Sequence, residues 1–244
     1  MLLKKSVVLI VCFIFFAFSS TCFSQEVTDT SFRQKAIHNL IQFYYSSIST
    51  QPPLYTAPLY ERHIPAFSSG HPFFFSDTFS IGTIGYDGLV YEGVPVLYDI
   101  VRDELITRSP NGFAIALIKP KVDSFFIAGH SFIKLNDDTS VVTTQSYYER
   151  LWNGNIRLLA KRKKIIQMTT GITTIERRVY AQDHYYIYGR NRVFETIKNK
   201  NSLLGALKDK KSALQQFIKQ NNLKFKENFE EDAARVVAYY NQLN

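Results

Sequence analysis

Beyond Cys22 the sequence contains no cysteine; its only two, Cys12 and Cys22, lie near the N-terminus. A mature chain that begins after them has no disulfide, no thiolate nucleophile and no cysteine-ligated metal, so core packing alone must stabilise it. Glycine and proline are modest, 11 and 8 of 244 residues, which excludes collagen-like or linker composition. With 45% hydrophobic and 20% charged residues the chain is not of the disordered class. After residue 24 no apolar run reaches the ~20 residues of a spanning helix, so no transmembrane segment is expected in the mature chain. The five histidines show neither H-x-H nor H-x-x-x-H spacing, and no D-x-D-x-D loop surrounds Asp99, Asp103 and Glu104. No metal site is therefore expected. Neither G-x-x-x-x-G-K nor G-x-G-x-x-G occurs, and no cofactor is expected.

What is present begins with an address. Lys4 and Lys5 precede an uncharged apolar run from Val7 to Phe18, and small residues at Cys22 and Ser24 suit cleavage before Gln25. Residues 1–24 read as a signal peptide, placing the mature chain in the periplasm or outside the cell. Lipidation of Cys22 is the alternative, disfavoured because Ser19 stands where a leucine is expected.

The mature chain divides into segments of different grammar. Residues 25–74 open with the capping-box pattern Ser31-Phe32-Arg33-Gln34, followed by apolar residues from Ala36 to Ile48 at helical spacing. A Pro- and aromatic-rich stretch then predicts an extended loop packed on the body. Residues 75–198 are short apolar runs punctuated by Asp87-Gly88, Asn111-Gly112, Asn153-Gly154 and similar turns, the grammar of antiparallel hairpins. A two-residue turn at Asn153-Gly154 would set Trp152 opposite Asn155, Leu151 opposite Ile156 and Arg150 opposite Arg157. Residues 199–244 return to helical spacing, with Leu203, Leu204 and Leu207, then Leu214 and Ile218, then Ala233 to Leu243 after an N-cap signature at Asn228. The expected architecture is α+β: an N-terminal helix, an antiparallel β-meander curled into an open sheet or half-barrel, and C-terminal helices.

Charge is uneven along this chain. Residues 25–156 hold 9 basic and 13 acidic side chains, whereas residues 157–200 hold 11 and 3. Arg157, Lys161, Lys163, Arg177 and Arg192, interleaved with tyrosines such as Tyr186, form a candidate binding surface on the strands. Basic and aromatic residues on strands suit single-stranded nucleic acid, but export argues against that partner. An anionic envelope lipid or glycan, or another envelope protein, is the expected partner. No catalytic residues are assigned. Gly129-His130-Ser131 opens like a nucleophile elbow, yet Ile133 replaces the closing glycine and the setting is hairpin-rich.

Three stretches carry a resemblance: Gly70-His71-Pro72-Phe73-Phe74, Gly85-Tyr86-Asp87-Gly88-Leu89-Val90-Tyr91 and Val94-Pro95-Val96-Leu97-Tyr98-Asp99. With Ser202-Leu203-Leu204 and Tyr239-Tyr240-Asn241 at the end, they resemble a family of uncharacterised secreted proteins from Bacteroidota. The resemblance implies an envelope location and a β-rich body with a helical end, and no activity. Together these readings point to an exported, non-enzymatic envelope protein with a binding or accessory role; the alternative is an envelope glycan hydrolase with carboxylates that spacing does not identify.

Overall fold

The computed structural model describes residues 53–62, 67–135, 146–171, 174–189 and 194–243, and isolated positions between 32 and 44. Met1–Thr50 and Gln51–Asn244 form separate units. In the first, the described positions between 32 and 44 are helical and exposed. The rest of the expected N-terminal helix and the leader lie outside the described residues.

The second unit is α+β. Among the described residues twelve strands follow one another: β1 (Ser80–Tyr86), β2 (Leu89–Asp99), β3 (Glu104–Arg108), β4 (Ala114–Ala116), β5 (Val122–Ile127), β6 (His130–Lys134), β7 (Tyr147–Trp152), β8 (Arg157–Lys161), β9 (Lys164–Thr170), β10 (Ile175–Ala181), β11 (His184–Tyr188) and β12 (Phe194–Ile197). Helices α1 (Lys200–Ala206), α2 (Lys211–Gln220) and α3 (Phe229–Gln242) follow. Ten strands make one sheet in the order β12-β11-β8-β7-β6-β5-β1-β2-β3-β4, and β9 and β10 pair as a separate ribbon. All strand pairings are antiparallel. Asp87 and Gly88 both have positive φ, 55° and 76°, the backbone that a tight β1–β2 turn requires.

The sheet is open but strongly curled. β2 and β8 are five strands apart, about 24 Å in a flat sheet at ~4.8 Å per strand. Yet Asp103, in the turn that follows β2, accepts a hydrogen bond from Lys161 Nζ on β8 at 2.7 Å. Only a sheet rolled toward a half-barrel brings those two side chains together. One row of paired residues, Phe125–Phe132–Glu149–Ala160–Tyr185–Ile197, crosses six strands. Toward β5 this row joins an aromatic core in which Phe125 and Phe132 stack at 4.6 Å and fully buried Tyr98 and Tyr147 meet them edge-on. Toward β12 it joins a second core, where Leu158, Ile187 and Ile197 pack beneath Leu203, Leu214, Val236 and Val237 of the helices. Glu149 lies at the seam between the two.

The Pro- and aromatic-rich stretch is laid along the strands by its backbone. Tyr60 N–H donates to Ala114 O and Ala116 N–H to Pro58 O, covering the otherwise open edge at β4. Phe74 N–H donates to Tyr98 O, and Val179 N–H donates to Ser69 O.

Two local expectations are corrected. The β7–β8 register is Trp152 opposite Leu158, Arg150 opposite Leu159 and Glu149 opposite Ala160, with an irregularity between Arg150 and Trp152. A two-residue turn fails because the backbone of Ile156 is taken by a side chain of α3. Its N–H donates to Asn241 Oδ1 at 2.9 Å, and its carbonyl accepts from Asn241 Nδ2 at 3.0 Å. The connecting loop therefore widens, with Gly154 packed so closely that a Cβ there would sit 2.7 Å from Asn241 Oδ1. Asn241→Ala removes both bonds while leaving the Ile156 groups half-buried, an expected loss of about 1–3 kcal/mol. Urea denaturation with an unchanged m-value measures it; a midpoint equal to the parent's would show that water replaces Asn241 at no cost. The second correction concerns capping. Asn228 makes no side-chain cap, and α3 begins instead with Glu230, Glu231 and Asp232 in its first turn, favourable against the helix dipole. The reciprocal capping box belongs to Asn199 and Ser202 at the start of α1.

Candidate functional site

Most of the strand cations are spent on internal partners. Lys161 is largely buried: it donates to Asp103 Oδ1 at 2.7 Å and to Tyr147 O at 3.2 Å. Burial lowers its pKa, outweighing the attraction of Asp103. Lys119 Nζ reaches Asp103 Oδ2 at 2.7 Å, and Tyr98 donates its hydroxyl to Oδ1 at 2.5 Å. Burial alone would raise the Asp103 carboxyl; the two lysines and the tyrosine reverse that and hold it below the ordinary range. Lys164 donates to the carbonyls of His71 and Phe73.

The densest knot surrounds Arg162, the residue just past β8. Its Nε donates to Glu149 Oε2 at 2.5 Å, and Nη1 to Asp183 Oδ2 at 2.7 Å. Glu230 of α3 receives a two-pronged contact, 2.6 Å from Nη1 and 2.8 Å from Nη2. Tyr185 adds its hydroxyl to Glu230 at 2.7 Å. The second oxygen of Glu149 meets His130 Nδ1 at 2.5 Å, and the His130 ring lies edge-on to Phe74 at 4.9 Å. The hydrogen bonds from Arg162 hold Glu230 below its usual pKa against the opposing effect of burial. The carboxylates in turn push the guanidinium up although burial favours its loss of charge. This knot ties β6, β7, β11 and α3 at the seam of the two cores. It also explains why a glutamate can occupy a core row: a buried carboxylate with two charged or polar donors is matched, whereas a lone one is not.

Of the six sequence-derived binding residues, the five that are described stand in different settings. Arg157 on β8 lies over the Tyr188 ring at 5.5 Å, and Tyr186 on β11 packs edge-on to Tyr148 at 6.0 Å. Lys161 is engaged with Asp103. Lys163 is exposed between β8 and β9, and Arg177 is on β10 of the ribbon. Arg192 lies outside the described residues. Arg157, Lys161 and Tyr186 do share a sheet face, since Arg157 pairs with Tyr188, Leu159 with Tyr186 and Lys161 with His184. His130 and Ser131 do not work together: Gly129 and Ala128 form the β5–β6 turn, His130 turns to Glu149, and the Ser131 hydroxyl accepts from Arg150 at 2.9 Å.

Free cations gather at the helical end instead. Two adjoining clefts, of about 750 and 800 Å³, share Lys200, Leu223 and Lys224 in their walls. Lys219 belongs to one, and Lys198 and Lys226 to the other. Lys224 meets Glu227 at 3.5 Å. The other four ammonium groups have no hydrogen-bond or ion-pair partner among the described residues. Ile218 and Leu223, with Phe225 and Phe229, supply apolar walls. Of the three acids in the first turn of α3, Glu230 is turned inward to Arg162 and Asp232 is buried, which leaves Glu231 alone exposed. Chemically, the clefts offer cations around half-buried apolar side chains, the recognition pattern for an anionic amphiphile.

Among the described residues no group of three or more His, Cys, Asp or Glu is placed to hold a metal, and no helix is long and apolar enough to cross a membrane. No protein-family model, curated protein or solved structure matches the chain.

Proposed function

We propose that the chain is an exported cell-envelope protein that binds an anionic amphiphile, with its binding surface at the lysine-lined helical end. The observation behind this reading is the contrast in cation use. Lys161 and Lys164 on the strands and Arg162 between them satisfy internal oxygens, while Lys198, Lys200, Lys219 and Lys226 stand unpaired around apolar clefts. An unpaired lysine near an anionic surface contributes about 1 kcal/mol, and a simple polyanion would make no use of Leu223, Phe225 and Phe229. A lipid with a phosphate head meets both features; an anionic glycan meets only the first. Export rests on the leader and carries the envelope part of the reading.

The test is co-sedimentation of the mature chain with phosphatidylglycerol or phosphatidylcholine vesicles across a salt series. Binding is expected to phosphatidylglycerol alone, fading as the Debye length shrinks from ~10 Å at 0.1 M salt to ~3 Å at 1 M. Replacing Lys198, Lys200, Lys219 and Lys226 together by glutamine is expected to weaken binding at least about tenfold. The same change at Arg177 should leave it intact. Equal binding to both vesicles, or a quadruple variant that binds like the parent, overturns the assignment. Binding to soluble anionic glycan but to neither vesicle moves the ligand class from lipid to glycan.

A further inference from the structure

Remote in sequence from the lysine clefts and sharing no residue with them, a smaller pocket of about 270 Å³ is lined by Arg62, Phe67, His71, Phe73 and Asp77, with Gly70 and Pro72 completing its wall. Its size is near the lower limit for small-molecule sites, so it suits a compact ligand and not a polymer. Its wall is built in advance. Lys164 Nζ holds the carbonyl oxygens of His71 and Phe73, Ile100 N–H donates to Pro72 O at 2.9 Å, and Phe73 bridges to Asp99. Gly70, at φ 77°, lies against β10 so tightly that a Cβ would come within 3.1 Å of Val179 O. Such backbone ties remove the ordering cost that a loop site otherwise meets on binding.

The charges in this pocket are complementary to one kind of molecule. Arg62 and Asp77 are both exposed, and neither forms a hydrogen bond or ion pair with another described residue. A guanidinium presents paired donors to a carboxylate, and an aspartate accepts from an ammonium group. Phe67 and the buried Phe73 supply an apolar surface between them. The His71 ring stacks on Phe73 at 6.3 Å. Burial and the nearby Lys164 lower its pKa, so at neutral pH it adds a polar edge without a charge. A free anion would meet Asp77 with repulsion, and a free amine would meet Arg62 likewise. We propose that the pocket formed by Arg62, Phe67, His71, Phe73 and Asp77 binds a free α-amino acid, its carboxylate on Arg62, its ammonium on Asp77 and its side chain against the phenylalanines.

The test is calorimetric titration of the mature chain with each of the common free L-amino acids at up to low-millimolar concentration. The best binder is then compared with its analogues lacking the amine or the carboxyl group. At least one amino acid is expected to bind, with each analogue at least tenfold weaker. Arg62→Ala should weaken the amino acid tenfold or more while sparing the analogue without a carboxyl group; Asp77→Asn should spare the analogue without an amine. Both side chains are exposed, so unchanged circular dichroism is expected and confirms that the variants fold. No binding by any amino acid, an analogue as tight as its parent, or affinities indifferent to both substitutions each overturns the proposal. The lysine-cleft quadruple variant should bind the amino acid normally, so failure here is separable from failure of the amphiphile reading.

Discussion

Arg162→Met is expected to be the most damaging single substitution at the seam of the protein. Removing one partner of a buried charge network leaves the others uncompensated, at a cost of about 3–5 kcal/mol. At roughly 2–4 °C per kcal/mol for a chain of this size, the melting temperature should fall by about 6–20 °C. Arg162 is 8% exposed and its guanidinium serves Glu149, Asp183 and Glu230 at once, so methionine restores volume but no donor. Lysine should rescue little, because a point charge with three rotatable donors cannot reproduce the planar fork that meets both oxygens of Glu230. The pH dependence identifies the cause. Glu230 is held below its ordinary value of 4.5, so in the parent its contribution is complete above that value and is lost as pH falls through the lower folded pKa. Without Arg162, Glu230 loses the donors that hold its carboxyl down, and burial raises its pKa instead. Folding then takes up protons, so acidification from neutral pH should narrow the gap between variant and parent. Denaturant midpoints measured at several pH values decide this; a gap that is constant from neutral to mildly acid pH would mean that Arg162 acts through packing alone.

Which parts of this architecture are legible in the chain depends on how far the determining contacts reach. The hairpin-rich body is written locally, since Asp87-Gly88 needs only its own positive φ values to reverse the strand. The C-terminal helices are equally local, their stripes of Leu203, Leu204, Val236 and Val237 all buried as helical spacing implies. The β7–β8 register is not, because Asn241, 85 residues beyond Ile156, decides how wide the loop must be. The strand cations mislead for a related reason. Composition counts Arg162 as surplus positive charge, although Glu149, Asp183 and Glu230, at separations of 13, 21 and 68 residues, consume it. Lys219, Lys224 and Lys226 of the clefts are hidden by the opposite arithmetic: residues 201–244 carry 7 basic and 5 acidic side chains and look almost balanced. Three of those acids crowd the first turn of α3, where Glu230 is spent on Arg162 and Asp232 is buried, while Lys219, Lys224 and Lys226 line the clefts. A charge count along the chain therefore locates cations without showing which of them are free.

Asp103→Asn tests the other buried charge, at the place where the sheet closes on itself. Asparagine keeps the shape and an oxygen for the Tyr98 hydroxyl, but it removes the counter-charge shared by Lys119 and Lys161. The Lys161 ammonium, 17% exposed, is then left in the aromatic core without a carboxylate, and a loss of about 3 kcal/mol or more is expected at neutral pH. Burial already holds Lys161 below 10.5, and loss of Asp103 lowers it further. Between the folded and unfolded pKa the unfolded chain binds more protons, so stability rises with pH across that interval. The variant should therefore recover part of its loss as the solution is made alkaline, over a wider range than the parent. Lys161→Met in the same chain removes the orphaned charge while keeping an unbranched apolar stem, and the double variant should be more stable than Asp103→Asn alone. Because Asp103 and Lys161 belong to elements five strands apart, their coupling in a double-mutant cycle also reports the curl of the sheet. Additive effects of the two substitutions would mean that the contact holds nothing together, and that the half-barrel is shaped by the packing of Tyr98, Phe125, Phe132 and Tyr147 alone.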